Sequence, residues 1–276
     1  MKNDLTKIVF TYSSLAFGIS WSIAFTIYFL FKNDFINDYQ LNLFHSFAAI
    51  GPAIAAFISA YLFYGKQGFA KLLSKIKFKL PDRKTIFFVV SPLLFFIIGL
   101  FVYKIIKSDW YSFQKFTALN WSSLSYIVVW MLALLTYSIF EEIGWRGFLL
   151  PHLQEKFSAF VSTIYLTIIW ALWHFPFFFY RFNFSIGIGV GFFFGIFVGS
   201  IILTSIYNSS RGFLITSMLF HFLNNLFSGF DKEIIVAVLS TCFVFIAILI
   251  YKTLGKENLS QVDRTKNYFY DTLKVL

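Results

Sequence analysis

The chain has 276 residues, 58% of them hydrophobic and only 13% charged, whereas soluble domains carry about 25% charged residues. Its 41 Phe present more apolar surface than a water-soluble core of this length can enclose, which excludes an ordinary soluble domain. The net charge of +10 does not point to nucleic acid, because Lys and Arg fall mainly in loops between apolar runs, where anionic lipid headgroups are the matching partner.

A bilayer core of ~30 Å needs about 20 apolar residues in helical form. In chain order the runs that approach this length are Ile8–Phe31, Leu41–Tyr64, Ile86–Tyr103, Leu124–Leu150, Phe160–Tyr180, Ile186–Tyr207, Phe213–Phe230 and Ile234–Tyr251. They are continuous rather than alternating, which favours helices over a barrel. Ile8–Phe31 is too long for a signal-peptide core and lacks a clear small-residue cleavage site, so it reads as the first span. The expected architecture is all-α: one membrane domain over residues 1–276, a polytopic bundle of about eight spans without internal repeat or soluble domain. Cys242 is the sole cysteine, which excludes an intrachain disulfide and a thiolate metal cluster.

The connection 65–84 holds Lys66, Lys71, Lys75, Lys77, Lys79, Arg83 and Lys84 against Asp82 alone, and should be cytoplasmic. Its stretch Lys66–Lys79 reads equally as an amphipathic helix on the inner leaflet or as a plain basic loop. With eight spans both termini lie on that side, and the tail after Lys252 is also net basic. One connection dissents: Lys104, Lys107 and Lys115 outnumber Asp109 on the outer side. The abundance of Phe, Ile, Lys and Asn suggests an AT-rich bacterial genome and hence a bacterial cell membrane.

Ionisable side chains at mid-bilayer cost about 2.5–3.5 kcal/mol on insertion scales, so each is a functional candidate. The exceptions here cluster. TYSIFEEIGWRGFLL carries Glu141, Glu142 and Arg146, IIWALWHFPFFF carries His174, and SMLFHFLNNLF carries His221 with Asn224 and Asn225. On a helix, residues four apart share a face, so Glu142 meets Arg146 and His221 meets Asn225, while Glu141 points ~100° away from Glu142. Glu142 is then the ion-pair partner of Arg146, and Glu141, less neutralised, is the candidate general base or acid. Trp145, Trp170 and Trp173 read as packing or interfacial anchors, and Asn224 as interhelical glue.

Such a set suits hydrolysis by activated water. A Glu with a His can bind and deprotonate water, and a second His with an Asn can donate hydrogen bonds to a developing oxyanion. Alternatively Glu141, His174 and His221 hold Zn²⁺, although no HExxH motif demands it. No Asp lies within a span, which disfavours a Ser-His-Asp triad or an aspartyl protease. The rival class is a non-enzymatic membrane protein, a transporter or scaffold whose polar cluster relays protons or binds helices together.

Glu141-Glu142-Ile143-Gly144-Trp145-Arg146 resembles the EExxxR motif of the CPBP family, the CAAX proteases and bacteriocin-processing enzymes also called the Abi family. Trp170…His174 resembles its second motif, usually FxxxH, with Trp replacing Phe, and His221…Asn225 its third, HxxxN. The resemblance covers roughly residues 137–227, within a motif-bearing core at 124–230. It implies an intramembrane endopeptidase in which Glu141 and His174 activate water, His221 and Asn225 form the oxyanion site, and Glu142 and Arg146 support them or help to bind substrate. The family is named a metalloprotease, yet a metal-free glutamate mechanism has also been proposed for it. The implied substrate is a membrane-associated peptide or protein, in bacteria most naturally in bacteriocin maturation or self-immunity. Counting along alternating spans, however, puts Glu141 toward the inner side, His174 toward the outer side and His221 near the middle, so tilt or kinks near Gly144 and Pro176 are needed to unite them.

Overall fold

A computed structural model of the protein describes residues 4–77, 79, 81–113, 123–181, 186–231, 233–266 and 269. Lys115 and the tail residues 267, 268 and 270–276 used in the charge count lie outside the described residues. In chain order the helices are α1 (Leu5–Lys32), α2 (Asp38–Ala48), α3 (Ile50–Ser74), α4 (Arg83–Lys107) and α5 (Leu124–Gly144), then a π-helical turn at Trp145–Leu149. They continue as α6 (Leu150–Lys156), α7 (Ala159–Trp173), a 3₁₀ turn at Phe175–Phe179, α8 (Ile186–Ser209), α9 (Ile215–Phe227) and α10 (Ile234–Asn258). No strand occurs among the described residues. Among the described residues, seven helical stretches are long and apolar enough to cross a membrane. The remaining apolar run, Phe213–Phe230, forms α9, which has only 13 residues.

Outward faces carry Phe10, Ile105, Leu124 and Phe245, all largely exposed, the reverse of a water-soluble surface and what lipid solvates well. Inward faces bury one continuous cluster that includes Tyr12, Trp145, Phe148, Trp170, Trp173 and Tyr207. The protein is a polytopic helical bundle, as composition and run length imply.

Helix α5 lies at the centre, packed on α2, α3 and α9. Its approach to α3 depends on Gly144: a Cβ there would stand 2.5 Å from both Pro52 Cβ and Tyr12 Oη. Small residues at such crossings let backbones come close where lipid supplies no hydrophobic drive between helices. Just beyond Gly144 the helix widens, and the Leu150 N–H bonds Trp145 O, five residues back. Pro151 follows, and without an N–H it cannot close the usual bond onto the carbonyl of Gly147. Such π turns concentrate at functional sites, and this one holds Arg146.

At one end of the bundle several connections knit together. Helix α3 breaks at Gly65 (φ 65°) and runs on as Lys66–Ser74, so the front of the basic stretch is helical, with Lys66, Phe69 and Leu73 exposed. The Lys75 carbonyl accepts from the Leu214 N–H at 3.0 Å. The Asn208 amide pairs with the Gln154 amide at 2.8 and 3.0 Å, and its Oδ1 also accepts from the Thr265 N–H at 3.1 Å. The tail after α10 is thereby fastened to the ends of α6 and α8.

Candidate active site

Four structural features deliver the polar residues. The last turn of α5 supplies Glu141 and Glu142, the π turn supplies Arg146, the C-terminus of α7 supplies His174, and α9 supplies His221 and Asn225. Glu141, Glu142 and Arg146 are essentially inaccessible, and His174 and His221 are nearly so. Asn225 is half-buried.

Arg146 Nη1 donates to Glu142 Oε1 at 2.9 Å, the intrahelical pair that the spacing predicts. The same oxygen lies 2.9 Å from His221 Nδ1. His221 thus engages Glu142 of α5, while Asn225 follows one turn further along α9. A carboxylate oxygen only accepts, so Nδ1 carries the proton and Nε2 is left to face other partners.

His174 is fixed in the same sense. Its Nδ1 stands 2.8 Å from the carbonyl of Trp170, which can only accept, so Nε2 is the atom left for chemistry. Aromatic faces enclose the ring: Trp173 at 4.9 Å, Phe192 at 5.0 Å and Phe177 at 5.8 Å between centroids.

Glu141 turns away from Glu142, as helix geometry requires, and meets two indoles. Trp145 Nε1 donates to its Oε2 at 3.3 Å, and Trp170 Nε1 donates to the same oxygen. The reading of these tryptophans as packing or interfacial anchors is incomplete: both are buried, and both bind the candidate base. A Trp four residues after a Glu on one helix was a usable signal for the first contact. The second crosses from α7 to α5 and could not be read from spacing.

Trp170 also gathers the other members. The Arg146 guanidinium lies 4.5 Å from the centre of its ring, a cation–π contact. His174 and His221 rest against the ring at 5.9 and 5.8 Å between centroids. The depth mismatch expected from counting is thereby removed. Glu141 falls near the middle of the 33-residue stretch Leu124–Lys156, and α7 presents Trp170 to it one turn before His174.

Beside this group, on α2, lies a polar cluster that sequence reading passed over. His45 Nε2 is 2.8 Å from Tyr137 Oη, and its Nδ1 is 2.9 Å from Tyr180 Oη. Tyr137 stands one turn before Glu141, so this cluster continues the polar face of α5.

Among the described residues no three His, Cys, Asp or Glu side chains are grouped to hold an ion. Glu141 Oε2 is taken by indoles, and Glu142 Oε1 by Arg146 and His221. Of the three expected ligands Glu141 keeps Oε1 and the two imidazoles keep Nε2, and these side chains are not grouped as an ion-binding set among the described residues.

Residues 122–227 match the family model described as type II CAAX prenyl endopeptidase Rce1-like. The chain is also similar to "CAAX prenyl protease 2" of Methanococcus maripaludis, 35% identical over 111 residues, which is 38% of this chain and 41% of that protein. The alignment with that relative thus spans about two fifths of its length. The matched segment runs from the start of α5 to the end of α9 and contains every residue of the buried cluster around Trp170. The three motifs thus lie in order on a segment that is similar to the Rce1-like type II CAAX prenyl endopeptidases, a similarity that covers less than half of the chain.

Proposed function

We propose that the protein is an intramembrane endopeptidase that hydrolyses a peptide bond in a membrane-associated peptide by water activated between Glu141 and His174. The observation that carries this reading is the joint arrangement around Trp170: a buried carboxylate with one oxygen bound by indoles, and an imidazole whose Nδ1 is spent on a carbonyl.

In this mechanism a water molecule sits between Glu141 Oε1 and His174 Nε2. Glu141 takes its proton as the hydroxide forms a bond to the scissile carbonyl carbon. His221, held through Nδ1 by Glu142, and the Asn225 amide form the oxyanion site, where one donor is worth about 10²–10³ in rate. Glu141 then passes its proton to the departing amide nitrogen as the C–N bond breaks, leaving a carboxylic acid and a free amine. Glu142 and Arg146 hold His221 in place.

Both comparisons carry names that point to a C-terminal peptide bearing a prenylated cysteine, and that is the substrate class we favour. A bacteriocin precursor or immunity-related peptide would undergo the same chemistry. For orientation, we take the cytoplasmic side to be the end where the 65–84 connection, the end of α8 and the C-terminal tail meet, which supports placing the C-terminal tail there.

The test is cleavage by protein purified in detergent, followed by mass spectrometry, with a farnesylated CAAX peptide and its unprenylated counterpart. The expected result is loss of the terminal tripeptide from the farnesylated form, abolished by Glu141→Ala and by His174→Ala in protein that still melts cooperatively. Cleavage of the unprenylated peptide alone would move the substrate toward the bacteriocin class. Full turnover by Glu141→Ala would overturn the mechanism.

A further inference from the structure

We propose that Trp170 is a positioning residue that couples the two water-activating groups, binding Glu141 through its indole N–H and His174 through its backbone carbonyl. This rests on the proposed peptidase reading and deepens it.

A glutamate side chain has three rotatable bonds, and a buried one without fixed partners would sample several orientations of its carboxyl group. Here Oε2 accepts from both Trp145 and Trp170, which leaves Oε1 as the oxygen available to water. The two donors do different work. Trp145 belongs to the same helical segment as Glu141, so its bond sets the carboxylate relative to its own helix. Trp170 comes from α7, so its bond sets the carboxylate relative to the helix that ends in His174. On the other side of the same residue, Trp170 O accepts from His174 Nδ1–H at 2.8 Å and fixes both the tautomer and the ring plane. The distance between Glu141 Oε1 and His174 Nε2 is thus governed through one residue.

The ring contributes further order. Its face supports the Arg146 guanidinium at 4.5 Å, and Arg146 holds the Glu142 oxygen to which His221 is bound. His221 also packs against the indole at 5.8 Å. A residue that only filled space would need none of the indole N–H, so deleting that donor separates the two roles.

Trp170→Phe keeps an aromatic ring and the backbone carbonyl and removes the donor. With the farnesylated peptide, kcat is expected to fall about 10- to 100-fold, in line with the cost of misplacing a catalytic group by ~1 Å, while KM stays within about twofold because the indole donor does not touch substrate. Trp145→Phe is expected to cost less than tenfold. Should Trp170→Phe fold poorly, replacing Trp170 with β-(3-benzothienyl)alanine, a bicyclic isostere with sulfur in place of N–H, gives the same kinetic split.

A second readout needs no turnover. In protein labelled with ¹⁵N at its seven tryptophans, the indole resonance lost in Trp170→Phe should lie well downfield of the others and move upfield in Glu141→Ala. If that resonance ignores Glu141→Ala, the hydrogen bond and the proposal fail, whatever the activity. If the wild type cleaves, Glu141→Ala is inactive and Trp170→Phe turns over at the wild-type rate, the positioning role is overturned while the peptidase reading stands. If the wild type cleaves neither peptide, the resonance shift alone decides whether Trp170 holds Glu141.

Discussion

His221 Nδ1 stands 2.9 Å from Glu142 Oε1, the oxygen that Arg146 Nη1 also meets at 2.9 Å. Two helices far apart in sequence are thus pinned by a single carboxylate oxygen, with Glu142 and Arg146 both fully buried. Removing one partner leaves a buried charge without compensation, whereas replacing the pair with apolar groups of similar volume does not. Arg146→Ala is accordingly expected to destabilise the protein by about 3–5 kcal/mol. The double variant Glu142→Gln/Arg146→Met should recover a large part of that loss, with His221 still able to donate to the new amide oxygen. Denaturant titration in micelles checks both, and equal losses for the single and double variants would contradict the coupling.

Gly144 sets the distance between the helix bearing the carboxylates and α3. Alanine there places a Cβ 2.5 Å from Pro52 Cβ and 2.7 Å from Pro52 C, and backbone cannot rotate aside as a flexible side chain can. Gly144→Ala should cost about 1–3 kcal/mol, typical of overpacking, and should depress turnover because Glu141 rides on the same helix. Gly199 on α8 has nothing within 4 Å of an added Cβ, so Gly199→Ala serves as the control. It should leave the melting temperature within a few degrees of wild type.

The tail after α10 is held by amide bonds rather than by apolar burial alone. Asn208 donates to Gln154 Oε1 and to Asn258 O, both at 2.8 Å, and accepts from Thr265 N–H at 3.1 Å. Asn208→Ala strips partners from buried groups, at about 1–3 kcal/mol for each one left unsatisfied. Hydrogen exchange should report it locally, with faster exchange over residues 258–266 and little change in α5. Uniform acceleration throughout the bundle would contradict a local latch.

Asp82 caps α4, and its carboxylate accepts from the Lys84 and Thr85 N–H groups at 2.9 and 3.0 Å and from the Thr85 hydroxyl at 2.8 Å. Partial burial pushes its pKa up, but these hydrogen bonds outweigh that and hold it below the usual carboxylate range. A lowered folded pKa gives stability that is present above the unfolded value of about 4 and is lost as pH falls through the folded value. Exchange of the Lys84 and Thr85 amides should therefore be protected at neutral pH and lose part of that protection in acid. Asp82→Ala should remove about 1 kcal/mol at neutral pH and abolish that pH dependence.

Much of this was legible in the sequence, for reasons that differ from residue to residue. Lipid imposes helices on any long apolar run, so α1, α4 and α10 follow from run length alone. The Glu142–Arg146 pair follows from a fixed spacing within one helix. The His221–Glu142 contact does not, because α9 is placed against α5 by packing across the bundle, and no local period encodes that. Trp170 is the clearest case. As a sequence feature the Trp that replaces the motif's Phe reads as a packing anchor, yet its consequence is an N–H that reaches Glu141 on another helix. His45, beside the group on α2, was passed over because a single His near a helix end carries no pattern. Its partners Tyr137 and Tyr180 lie 92 and 135 residues away in sequence.

The central claim is that Glu141 is the base. Its most direct test is kcat/KM for a farnesylated CAAX peptide with wild type and with Glu141→Gln, which keeps the side chain's shape and can still accept from the two indoles. The account predicts a loss of about 10²–10⁴, the range for removing a general base, with the melting temperature of Glu141→Gln close to that of wild type. A Glu141→Gln protein that cleaves within threefold of the wild-type rate would contradict it.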